Sequence, residues 1–303
     1  MEEALAVSVI LPDADTLRSL GSQELMKLEG EIARTHMGGV PWLAVAWGLG
    51  NFVVWLSLWP LVLGGYVPLW IAFPIATINL MLCYLPSHEA QHDIIARPGD
   101  MLRWLNQLVG HVSTIPLVMP YQLLRLTHLE HHKHTNDAEL DPDIHTKAAD
   151  AWTFLFNSIV NRQPGGASNV NYGNTLQRIG TQDAKAAMAL GLAYQLAYLA
   201  ILFAVSWSGY AIEAALLWWL PRHIAITYIG FFLSWAPHFP GIETGRYRDT
   251  RGFRSQLGNI GSMGMQYHIV HHLHPRIPLT RTPRAYWDLR PVLEARGCDL
   301  ENL

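Results

Sequence analysis

Residues 42–92 read WLAVAWGLGNFVVWLSLWPLVLGGYVPLWIAFPIATINLMLCYLPSHEAQH, and this stretch decides the fold. It holds two apolar runs, about 42–62 and 66–85, each near the roughly 20 residues that span a hydrocarbon core of about 30 Å. Only Leu63, Gly64 and Gly65 join them. So short a connection predicts an antiparallel helical hairpin that returns the chain to the side where it began. The second run leads directly into His88-Glu-Ala-Gln-His92, two imidazoles at i and i+4, which share one face of a helix.

Outward from this hairpin the pattern repeats. A third span is expected at about 188–207 and a fourth within 211–238. Pro221, Arg222 and His223 interrupt the fourth, so either its helix starts near Pro221 or Arg222 sits unusually deep. The stretch from Met101 to Tyr121 is apolar but carries Arg103, Asn106, Gln107 and His111, with Pro116 and Pro120 near its end; it reads as interfacial or re-entrant. Between Asp15 and His36 leucines recur at helical spacing among charges, predicting an amphipathic helix that lies beside the membrane or packs on a cap. Residues 163–174 read as a surface loop.

Composition agrees with a membrane protein. Half of the 303 residues are hydrophobic, 15% are charged, and there are 12 Trp and 11 Tyr, rings that favour membrane interfaces. The fold class predicted is an all-α integral membrane protein with about four transmembrane helices under a helical cap. Its domain would be 42–303, with cap segments 86–187 and 239–303, preceded by an N-terminal segment 1–41. Glu2 and Glu3 replace the positive start of a signal peptide. With four spans, 20 of the 21 Lys and Arg lie on the side of both termini and only Arg222 is left over. The positive-inside rule makes that side cytoplasmic, expected here to be that of a bacterial inner membrane. A formal charge of −3 without a basic run gives no footprint for nucleic acid. Two cysteines, Cys83 and Cys298, supply neither a disulfide framework nor a thiolate site.

The chemistry lies in the histidines. After His88 and His92 come His128-Leu-Glu-His131-His132 and His268-Ile-Val-His271-His272, each with imidazoles at i, i+3 and i+4. Eight imidazoles are too many for one ion. Nitrogen-rich sites without thiolate suit iron, copper or zinc, and so many ligands imply two ions with coordination positions left open. One HxxxH is common in any helix, but three boxes at three span ends are not. The first box also spells HExxH, in which Glu89 would be the general base of a zinc protease; that reading leaves two boxes without a role. A metal transporter would place its site near the bilayer midplane rather than at span ends. His134 and His274 follow their boxes by two residues and point to roles behind the ligands, as do the acids Glu130, Asp137 and Asp141, which can accept the far N–H of a ligating imidazole. Asp141 before Pro142 also reads as a turn former. His111 and His145 read as surface or packing residues.

The order HxxxH, HxxHH, HxxHH on a four-span chain resembles the integral-membrane fatty acid desaturase and hydroxylase superfamily. The stretch His128 to Asp137 followed by Asp141-Pro-Asp143, together with Tyr267-His268 to His274-Pro275, resembles its bacterial fatty acid desaturase branch; Gln266 departs from the Asn found in many relatives. The resemblance implies two irons held by the eight box histidines and by one more residue about thirty positions before the third box, where His238 stands in Trp235-Ala-Pro-His238. The expected metal set is therefore His88, His92, His128, His131, His132, His238, His268, His271 and His272.

Two redox-active metals with open positions can use O2 and two electrons to break an unactivated C–H bond, which zinc cannot do. The apolar spans offer a place for an alkyl chain, so the expected substrate is a fatty acyl lipid and the expected reaction desaturation. Hydroxylation of an alkyl, acyl or carotenoid substrate, and decarboxylation to a terminal alkene, remain open. No GxGxxG motif or thiolate cluster holds a flavin or iron–sulfur cluster. Electrons would come from a separate ferredoxin, rubredoxin or cytochrome b5-type donor, for which Arg276, Arg281, Arg284 and Arg290 are candidate docking charges, with pairing to Asp288, Glu294 or lipid phosphate as the alternative.

Overall fold

The computed structural model describes residues 11–301 and Leu303; the reading of the first residues as lacking a signal peptide lies outside that range. Among the described residues the chain is helical, with no strand. Helices α1 (Ala14–Ser19) and α2 (Ser22–Thr35) precede α3 (Trp42–Leu63) and α4 (Leu69–Gln91). The turn between α3 and α4 places Gly65 at φ +75°, a conformation that costs glycine nothing. Helix α4 runs six residues past the expected end of the second span. The first histidine box is consequently the last turn of that helix, with His92 capping it, and all of 84–92 is buried.

The second hairpin begins with α9 (Gln182–Val205), capped by Thr181, whose hydroxyl accepts the Ala184 amide. It turns at Gly209, φ +94°, and continues as α10 over 211–235. A straight helix would separate Tyr198 from Trp218 by about 30 Å, yet their ring centroids lie 4.8 Å apart, so the two arms are side by side. The helix does not start near Pro221, and Arg222 lies within it. Its Nε donates to the Leu117 carbonyl at 2.8 Å and its guanidinium lies 5.2 Å from the Tyr198 ring. Helix α10 passes through Pro221 without a break because the preceding turn, 215–219, is already widened to i→i+5 bonding.

Three continuous helical stretches are long and apolar enough to cross a membrane, Trp42–Leu63, Leu69–Gln91 and the 182–235 stretch that bends at Gly209. They expose Leu43, Val53, Leu192, Leu196, Phe203 and Trp207, large apolar side chains of the kind that lipid covers. Between the hairpins lie α5 (Arg103–Thr114), α6 (Tyr121–His134), α7 (Ala151–Val160) and α8 (Ala167–Ile179). Helix α5 is the segment expected to be interfacial. It buries Leu105, Asn106 and Val109 and exposes Trp104 and Leu108. It also meets α3 at Gly48, where a Cβ would stand 2.8 Å from Ser113 Oγ and 2.9 Å from Pro86 Cβ.

Two expectations are corrected. Residues 167–174 are not loop but the first half of α8, which is capped by Gly166 and by Gly180 with φ +66° and buries Thr175 and Leu176. Polar composition concealed a helix that tertiary burial holds. The helix expected over 15–36 is two helices broken at Leu20–Gly21. Their apolar face, with Leu17, Leu25 and Ile32, packs in one cluster with Ile269, Leu273, Tyr286 and Leu289. These residues belong to α11 (His268–Leu273) and α12 (Thr282–Ala295), so the N-terminal helices lie on the cap and buttress the helix of the third box.

Candidate metal centre

Helices α4, α6 and α11 each deliver one box, and His238 arrives just beyond α10. All nine expected histidines converge. One group comprises His88, His92, His128 and His271, the other His131, His238 and His272, with the ligating atoms of each group within 4.8 Å of one another. His132 bridges toward the first group, its Nε2 3.1 Å from His128 Nε2 and 3.0 Å from His271 Nε2. His268 completes the second, its ring centroid 4.7 Å from that of His272 and 5.4 Å from that of His238.

The donor geometry fits metal ions. His92 Nε2 is 2.8 Å from His128 Nε2, and His131 Nε2 is 3.3 Å from His238 Nε2. Nitrogens sharing an ion at about 2.0–2.1 Å are separated by about 2.9–3.4 Å. His131 Nδ1 donates to Asp141 at 2.8 Å and His238 Nδ1 donates to the Asp249 carbonyl at 2.9 Å, which turns the Nε2 atoms of both rings toward each other, where an ion could take the place of a shared proton. His88 Nε2, His268 Nδ1 and His272 Nε2 are buried without any hydrogen-bond partner, a cost that coordination would remove.

Electrostatics favour the coordinating form. Burial, then repulsion among the rings, holds His92, His128, His132, His268, His271 and His272 well below the ordinary histidine range. His238 is pushed down to about 3 by burial and by His131. These imidazoles are neutral and would release no proton on taking up a metal. His131 is the exception. Burial opposes its charge, but the Asp141 carboxylate outweighs that and raises it to about 9. Asp141 moves the other way, its burial outweighed by His131 and by the Asp143 and Asn136 amides.

Of the three acids expected behind the ligands, only Asp141 takes that place. Asp137 caps the turn through the Glu139 and Leu140 amides, and Glu130 pairs with Lys133 and lies 3.4 Å from Arg178. His134 lies 3.7 Å from Glu130, while His274 stands 3.0 Å from the buried Glu29. Glu29 also meets Arg246, Arg296 and Tyr247, and so clamps α2 to the segments before and after the third box. The HExxH acid, Glu89, is buried and accepts the Leu279 amide, which leaves it poorly placed as a protease base. His111 packs 5.0 Å from the Tyr121 ring. Among the candidate docking arginines, Arg290 pairs with Glu294 and Arg281 donates to the His36 and Gly38 carbonyls, while Asp288 is taken by His36.

Sequence reasoning missed the Asp249 carbonyl behind His238 and the cavity beside the histidines. That cavity is lined by His128, His131 and His268, by apolar Leu117, Leu124, Phe154, Ile229 and Leu233, and by Asp143, Asn161 and Arg162. Asp143 accepts from Tyr172 at 2.9 Å and Ser234 at 3.2 Å.

Comparison with known proteins agrees with the boxes. The chain is 36% identical over 88 residues to the sn-1 oleoyl-lipid 12-desaturase of Synechocystis sp., covering 29% of this chain and 23% of that protein. It is 26% identical over 144 residues to the enzyme of that name from Arthrospira platensis, 45% of this chain and 39% of that one. It is 32% identical over 76 residues to the sn-1 acyl-lipid omega-3 desaturase (ferredoxin) of Nostoc sp., 25% of this chain and 21% of that one. The matched segments thus span between about a fifth and two fifths of these relatives. The fatty acid desaturase family model matches residues 64–299, from the turn of the first hairpin past the third box, and the chain belongs to that family.

Proposed function

We propose that this protein is a membrane-embedded oxidoreductase that introduces a double bond into the acyl chain of a lipid, with two irons held by the nine histidines. The observation that carries this reading is the convergence of nine imidazoles, mostly neutral, beside a cavity with apolar walls. Iron in both groups would supply the two-electron reduction of O2 that cleavage of an unactivated C–H bond requires. The chain's own residues do the rest. Asp141 and the Asp249 carbonyl fix which nitrogens of His131 and His238 face the metal. Leu117, Leu124, Phe154, Ile229 and Leu233 line the cavity and exclude water from a chain lying against His128, His131 and His268, each buried methylene contributing about 0.8 kcal/mol. Electrons come from a separate donor protein; one matched relative carries ferredoxin in its name.

Mass spectrometry of total lipids from a host expressing the protein tests the reaction. New unsaturated acyl chains, absent with His131→Ala, are expected; hydroxylated chains would replace desaturation by the hydroxylase reading, and unchanged lipids would reject both. The four arms cross the membrane with the histidines on the cytoplasmic side, a reading that the excess of Lys and Arg there supports. Ser208→Cys, exposed at the second hairpin turn, should react with an impermeant thiol reagent added outside intact cells, whereas labelling there only after lysis would invert or abolish this topology.

A further inference from the structure

Nothing in the chemistry above uses Arg162. It lies in the turn between α7 and α8 and lines the same cavity as the histidines. Its Nη1 donates to the His223 carbonyl at 3.2 Å and its Nη2 to Thr227 Oγ1 at 2.8 Å. Its Nε is buried with no partner. No carboxylate is among its partners, and the charge that acts on it most is the like-signed Arg222. Burial and, secondarily, Arg222 push it down to about 10, so it remains cationic at neutral pH. A half-buried cation with neither counter-ion nor full hydrogen bonding is costly, and a bound anion offsets that cost.

The place of this cation within the cavity matters. Thr227 precedes Trp235 by two turns of α10, about 12 Å of rise, and His238 follows Trp235. The carboxylate that lines the cavity, Asp143, bonds Ser234 and so lies at the histidine end. Between the two charges run Phe154, Ile229 and Leu233. The cavity is therefore polar at both ends and apolar between, and Arg162 is the one Lys or Arg among these lining residues.

We propose that Arg162 is the anion subsite of the substrate cavity, binding the oxyanion of an amphiphilic lipid, a fatty acid carboxylate or a glycerophospholipid phosphate, and so positioning the chain against the histidines. The assignment rests on the lipid reading above and adds the substrate's charge to it.

Binding to the purified iron-loaded protein in detergent tests it apart from turnover. The fluorescent cis-parinaric acid is compared with its methyl ester, and dioleoyl phosphatidic acid with dioleoylglycerol as competitors. Wild type should prefer the anionic member of one pair by about tenfold or more, and the pair that shows the preference names the source of the oxyanion. Arg162→Gln, which keeps donors for His223 and Thr227 but not the charge, should abolish the preference by weakening the anion alone. Arg162→Lys should retain part of it, and both variants should keep wild-type iron content. Equal binding within both pairs, or equal losses of anionic and neutral lipids in Arg162→Gln, would overturn the subsite, as would binding of none of the four. Charge-selective binding without new double bonds in the host leaves the subsite standing and removes desaturation; double bonds without charge selectivity do the reverse.

Discussion

The two histidine groups are built from the same boxes but supported differently. The first, around His88, His92, His128 and His271, draws two of its rings from the last turn of α4. That turn is braced by neutral contacts. Ser87 donates to the Gly110 carbonyl at 2.9 Å, and Tyr121 and Asn106 donate to the Ala90 carbonyl at 2.8 and 3.0 Å. The second group, around His131, His238 and His272, has a carboxylate directly behind it in Asp141. Hydrogen bonding to an anion raises the basicity of a ligating imidazole, so the second group should hold its metal against a less apolar background and depend on one side chain for it. Ligand number alone does not make the two positions equivalent.

The largest effect expected is from the ligands themselves. Alanine at His128, in the first group, or at His131, in the second, should bring turnover to background and lower iron per chain below two, measured by metal analysis of purified protein, while His111→Ala keeps both. Full activity in either ligand variant would remove that group from the chemistry. A smaller, one-sided effect separates the groups. Asp141→Asn keeps the shape of the residue but not its charge and should weaken the second metal about 10- to 100-fold, seen as loss of one iron of two on dialysis against a chelator. Loss of both irons together, or of neither, would mean that the carboxylate does not distinguish the groups.

The smallest effect should touch both groups alike, because α11 supplies His271 to one and His272 to the other. That helix is clamped through Glu29. Burial raises the Glu29 carboxyl, but His274 and Arg246 outweigh it and leave it below the ordinary glutamate value. A folded-state pKa that is depressed gives stability that is complete above the unfolded value, about 4.3, and lost as pH falls through the lower folded one. Hydrogen exchange across 22–35 should therefore stay slow down to about pH 4 and quicken below it, and Glu29→Gln should quicken it at neutral pH as well. Exchange that is fast at every pH in the wild type would show that the clamp does not hold α2.

Much of this site was legible because its geometry is local. Imidazoles at i, i+3 and i+4 share a helix face wherever the helix goes, so eight ligand candidates could be read without knowing how α4, α6 and α11 meet. His238 has no such pattern around it and came only from family resemblance. Glu130, Asp137 and Asp141 look alike in sequence. What separates them is that Asp141 is buried beside His131 while the others face turn amides or surface cations, a tertiary distinction. Arg162 carried no signal at all, since the turn around it reads as polar loop and its partners lie 61 and 65 residues away. The same blindness hid α8, whose polar face gives no apolar period although Tyr172 and Leu176 anchor it.

The short turns at Gly64–Gly65 and Gly209 bear on how such a chain enters a bilayer. Neither 63–68 nor 206–210 contains a Lys, Arg, His, Asp or Glu. The first hairpin, with no Lys, Arg, Asp or Glu in 42–87, would therefore cross as a closed pair of helices without formal charge, whereas the second takes Glu213 and Arg222 with it. Moving one lysine or aspartate to the bilayer centre costs about 2.5–3.5 kcal/mol on insertion scales. That work is absent from the first hairpin and falls on the second, where the Leu117 carbonyl receives the Arg222 guanidinium.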